Sequence, residues 1–90
     1  MNATSTAAEI RVEIREAKQT IAHARFEKAQ QDVAILEGLV AQGVAPEASL
    51  REARLRMAVL EQKQIIATAK WLLAEKKLIK EHACHTHADE

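Results

Sequence analysis

Leu50, Ala53, Met57, Leu60, Gln64, Ala67, Trp71, Ala74 and Leu78 step through the second half of the chain by alternating three and four residues. This is the a and d spacing of a coiled coil, held for about four heptads, and Gln64 is its only polar member. Such a period cannot serve a strand, whose side chains alternate every second residue, so a long helix with a helical partner is required. Composition agrees: the chain has one Phe, one Trp, no Tyr, two Gly and one Pro, a long-helix profile rather than a sheet profile.

The partner is found in the first half. Ile10, Ile14, Ala17, Ile21 and Ala24 recur at helical spacing as one stripe, and Ala22, Phe26, Ala29, Val33, Leu36 and Val40 as another. Thr6 to Glu9 reads as a capping box that starts this helix. Between the halves, Gly43 has the freedom to take the left-handed conformation that ends a helix, and Val44 can fold back on Leu39. Pro46 suits the first position of the next helix, where its missing N–H costs nothing. Glu47 then places a negative charge at a helix N-terminus. Gly38 is read as a tolerated interruption.

The expected fold is therefore all-α, an antiparallel two-helix coiled-coil hairpin. Residues 1–5 are expected to be disordered, helix 1 to span about 6–42, the turn 43–45, helix 2 about 46–82, and residues 83–90 to form a flexible tail. The hairpin seam is assigned to Leu50, Met57, Leu60, Trp71 and Leu78 against Phe26, Val33, Leu36 and Val40, with Gly43 and Pro46 making the turn.

Helix 2 carries a second apolar face, Leu55, Val59, Ile65, Ile66, Leu72, Leu73 and Ile79, with Ala58 and Ala69 among them. One partner helix cannot cover both sides. A hairpin of 90 residues has no third layer, so this face is assigned to interaction: a four-helix bundle from two hairpins, a larger helical oligomer, or docking to another helical protein.

Thirteen Lys and Arg balance thirteen Asp and Glu, so no overall field recruits nucleic acid or an anionic membrane, and nucleic-acid binding is disfavoured. No apolar run reaches the length of a membrane span, and Met1 to Ala8 lacks the features of a signal peptide, so the sequence as written is expected to be cytoplasmic. The Asn2-Ala3-Thr4 sequon is read as chance. Nucleotide-binding, zinc-protease and nucleophile-elbow motifs are missing, no cofactor is expected, and the chain is read as not an enzyme. Glu13, Glu16, Glu61 and Glu75 are assigned to solvated pairs with nearby Lys or Arg on the helix surface.

Trp71 is read as a seam anchor with its indole N–H turned to the edge, and His23 as an isolated surface or seam histidine. Arg56, Lys63, Lys70 and Lys77 form one stripe beside the seam, read as pairing partners for a neighbouring helix; Arg54, Glu61, Thr68 and Glu75 form the other. His82, Cys84, His85 and His87 are the one cluster with ligand chemistry. Imidazole and thiolate suit Zn, Cu or Ni, although the spacing matches no rigid zinc motif.

The stretch Ala22 to Lys70, with Leu36-Glu37-Gly38-Leu39-Val40-Ala41-Gln42-Gly43-Val44-Ala45-Pro46 followed by Leu50-Arg51-Glu52-Ala53-Arg54-Leu55, resembles the α-helical hairpin of periplasmic adaptor (membrane fusion) proteins of efflux and type I secretion systems. It is also similar to helices of outer-membrane efflux channels. The resemblance implies a docking element, and a periplasmic setting if the chain is a fragment of an adaptor. Adaptor tips usually carry Ser where this chain has Ala45-Pro46.

The function expected first is a non-enzymatic assembly or docking module acting through self-association or helix–helix contact. The alternative is a small regulatory binding module. One form of it resembles the dimeric plasmid RNA-binding modulator of replication, using Arg56, Lys63, Lys70 and Lys77; another is a metal-responsive protein using the His/Cys tail.

Overall fold

The computed structural model describes the backbone of residues 6–88 and the side chains of residues 6–82. Two helices, α1 (Ala7–Ala41) and α2 (Glu47–Ala88), form an antiparallel hairpin measuring 71 × 23 × 13 Å. The fold is all-helical among the described residues. Its shortest dimension is close to the diameter of a single helix with its side chains, so the rod is one layer deep.

Both ends of α1 are built from local backbone chemistry. Thr6 Oγ1 accepts the Glu9 N–H at 3.1 Å, relieving one of the donors a helix start leaves unpaired. At the other end Gly43 adopts φ +75°. Val44 N–H then reaches Leu39 O at 2.9 Å and Gly43 N–H reaches Val40 O at 3.0 Å, the paired bonds of a Schellman stop. The Val44 backbone makes the expected fold onto Leu39 while its side chain stays 69% exposed.

Two boundaries differ from those expected. Pro46 stands one residue before α2, its carbonyl accepting the Ser49 N–H at 3.1 Å. It acts as the residue that enters the helix, not the first one in it. At the far end α2 continues past His82 to Ala88, because nothing from His82 to Ala88 supplies the Gly or Pro that would stop it.

The two glycines have opposite roles. A Cβ on Gly38 would meet nothing within 4 Å, so its cost is purely conformational. Replacing Gly38 by Ala is expected to raise stability by about 1 kcal/mol. Gly43 has the same open space but a positive φ, so Gly43→Ala is expected to lower stability by about 1 kcal/mol. Thermal unfolding followed by circular dichroism reads both; shifts of the same sign would contradict this assignment.

The seam follows one heptad register on each helix. On α2 every a and d position from Leu50 to Leu78 is buried or half-buried, as are the other seam residues expected from the sequence, Phe26, Val33, Leu36 and Val40. On α1 the register runs back through Ala22, Gln19, Arg15, Val12 and Ala8, all at least half-buried. The packing is uneven. Ala29, Val33, Leu50 and Ala53 are buried, with Leu36, Val40 and Met57 packed around the Val33–Leu50–Ala53 cluster, and all of them lie in the half nearer the turn. In the open half the seam holds Arg15, Gln19 and Gln64 and no described residue is fully buried.

Candidate functional site

Leu55, Val59, Ile65, Ile66, Leu72, Leu73 and Ile79, the face assigned to interaction, remain between 46% and 68% exposed. They do not form a single stripe. With Leu50 at position a, Ile65, Leu72 and Ile79 fall at b, while Val59, Ile66 and Leu73 fall at c; Leu55 lies between them at f. Positions b and c are about 100° apart around the helix, on either side of its outer edge. The face is therefore two aliphatic rails along the back of α2. Ala69, Leu72, Leu73 and Lys76 line a shallow depression between them.

Helix α1 has an outward apolar surface as well. Ile10, Ile14, Ile21 and Ile35 are 47–60% exposed, and Ala17 and Ala24 are exposed with them. The first stripe read from the sequence is thus the back of α1. Ile10, Ile14 and Ile21 lie across from the stretch of α2 that carries Ile65 to Ile79, because Thr6 borders Leu78 and His82 while His23 bonds Gln64. Exposed aliphatic surface gathers where the seam is weakest.

The register also sorts the charges. On one side of the rod, position g of α1 meets position g of α2: Arg11, Lys18 and Arg25 face a row of Arg56, Lys63, Lys70 and Lys77. Arg15, Lys18, Lys63 and Lys70, with Ile66 and Ala67, line a cavity of about 190 Å³. Arg25, Lys28, Asp32 and Arg56 continue the groove towards the turn. On the opposite side, positions e and b hold Glu9, Glu13, Glu16, Glu27 and Glu37 of α1 and Glu47, Glu61 and Glu75 of α2. A chain with no net charge is folded into a rod with one basic and one acidic long side.

This separation corrects one expectation and narrows another. Glu13, Glu16, Glu61 and Glu75 are expected in surface ion pairs, yet the Lys and Arg ion pairs among the described residues are Arg51–Glu47 and Arg54–Glu37. The cations that would serve those four carboxylates lie across the rod. The Arg56 to Lys77 stripe, expected to pair with a neighbouring helix, finds no such partners in α1, which presents mainly cations across the groove, with Asp32 the only carboxylate among the described lining residues.

His23 is not isolated. Its Nδ1 accepts from Gln64 Nε2 at 2.7 Å, and its Nε2 lies 2.7 Å from Glu27 Oε1. One neutral tautomer, with the proton on Nε2, satisfies both contacts. This bridge joins the helices at the one polar a position of α2. Replacing Gln64 by Leu exchanges an exposed hydrogen bond for apolar seam area and is expected to raise stability by about 1 kcal/mol. Thermal denaturation decides it; a lower midpoint would mean that the bridge holds the open half together.

Trp71 occupies its seam position, but its N–H is not at the edge: Nε1 is covered and has no hydrogen-bond partner among the described residues. His82 is exposed, and Cys84, His85 and His87 have side chains outside the described residues. No group of metal-binding side chains occurs among the residues described, and none of the described helices is long and apolar enough to cross a membrane. No family model, curated protein or solved structure matches this chain.

Proposed function

We propose that this chain is a non-enzymatic assembly module whose hairpin associates with other helices along its outer aliphatic surface. The observation that carries this reading is the coincidence, in the open half, of a thin polar seam with Ile10, Ile14, Ile21, Ile65, Ile66, Leu72, Leu73 and Ile79 exposed on the backs of both helices. Burying what remains exposed of each such side chain is worth about 1 kcal/mol. Eight of them favour association strongly enough to offset the loss of rotational and translational freedom. The docking use implied by the resemblance to adaptor hairpins is of the same kind.

Sedimentation equilibrium between about 1 and 100 μM, a range that brackets affinities of roughly 7–8 kcal/mol, tests this directly. The expected result is a mass of two or more chains in the upper part of the range. A helical monomer throughout would refute the reading.

A further inference from the structure

Resting on the assembly reading, we infer that the partner is a second copy of this chain, docked with its acidic long side against the basic groove of the first. The charges on the two sides are complementary; among the described residues no cation of the basic side has an ion-pair partner, and on the acidic side only Glu37 and Glu47 pair with arginines, Arg54 and Arg51, at 3.9 Å. Of the thirteen cationic residues, only Arg51, Arg54 and Lys76 lie off the basic side, whose g and c positions hold just two carboxylates among the described residues, Asp32 and Glu52. The groove sets like charges facing each other across the seam, an arrangement that opposes docking of two basic sides and favours an acidic occupant.

The aliphatic rails fit the same contact. Val59, Ile66 and Leu73 border the basic side and Ile65, Leu72 and Ile79 the acidic side, so one repeated interface covers both rails. Two-fold pairing of like sides would instead set Lys63 and Lys70 against their own copies, or Glu61 and Glu75 against theirs. The inferred contact is head-to-tail, and each copy keeps one free side of each sign. Most of the cations lie in the open half of the rod. Copies with their turns at the same end bring Glu9, Glu16, Glu61 and Glu75 opposite Lys18, Lys63 and Lys70.

Two charge variants test this, K63E/K70E and E61K/E75K, each made at exposed or half-exposed helix positions and checked for unchanged helicity. The wild type is expected to exceed a dimer in mass and to weaken at least about tenfold in association between 50 and 500 mM salt. Each variant alone is expected to be monomeric, since the stretch of α2 from residue 61 to 75 then carries the same sign on both sides of the rod. An equal mixture of the two is expected to associate again. Oligomers that stop at a dimer, or that are untouched by both variants, would overturn the head-to-tail contact and leave the assembly reading standing; a monomeric wild type would remove both. Lys63- and Lys70-dependent retention of duplex RNA by a chain whose self-association ignores these charges would assign the groove to a polyanion instead.

Discussion

Val33→Asp is expected to unfold the hairpin, while Ala34→Asp one residue later leaves it folded. Val33 is 5% exposed and belongs to the compact cluster with Leu50 and Ala53. A carboxylate there has no cation beside it in the seam and loses its water, which costs several kcal/mol whether it stays charged or takes up a proton. A single-layer hairpin has a total stability of only about 5 kcal/mol to lose. Ala34 lies on the outer surface of the same turn, so its replacement costs only the lower helix propensity of Asp, about 0.5 kcal/mol. Circular dichroism at 25 °C, with thermal melts of both variants, checks the pair. Equal losses would mean that the helical phase of α1 is wrong; two folded variants would mean that the turn-proximal cluster is not what holds the helices together.

The cluster can bear this weight because the turn brings it together at little cost. Gly43 and the Schellman bonds set Val40 and Leu36 against Leu50 and Ala53 with only a short loop to close, so the contacts nearest the turn form with the smallest loss of chain entropy. Each step towards the open end relies on the previous one, and there the seam is populated by Gln64, Gln19 and Arg15. The open half is thus the part of the molecule most in need of contacts from outside.

Much of this was legible in the sequence. The unbroken spacing from Leu50 to Leu78 fixes the register of α2, and Gly43 with Pro46 fixes the turn. The register of α1 was harder to see because Arg15 and Gln19 occupy seam positions and interrupt the apolar signal between Val12 and Ala22. Without that register the back of α1 looks like a second candidate seam, and the cations of the two helices cannot be assigned to one side. The signal was there: continuing the alternation of three and four back from Phe26 places Arg11, Lys18 and Arg25 beside the row from Arg56 to Lys77. The covered Trp71 N–H and the bond between His23 and Gln64 depend on side-chain conformations and on how the helices are matched across the seam, which periodicity does not encode.

Ile66→Glu with Leu73→Glu is expected to dissociate the assembly and leave the hairpin helical. Ile66 and Leu73 are 53% and 66% exposed, one heptad apart on the rail beside the basic groove, and neither supports the seam. Within the monomer the exchange is close to neutral, since Glu is a good helix former and each new carboxylate meets Lys63 or Lys70 as a neighbour. In an interface it removes two aliphatic contacts per copy and sets carboxylates against a partner. The combined loss of about 3 kcal/mol corresponds to a weakening of association of more than 100-fold. The matched Ile66→Lys with Leu73→Lys variant separates the causes. It loses the same apolar area but adds charge that an acidic side attracts, so a head-to-tail contact is expected to retain more association with Lys than with Glu. Equal dissociation by both pairs would make the contact purely apolar, and unchanged mass in both would move the interface to the back of α1, where Ile10, Ile14 and Ile21 are the residues to replace.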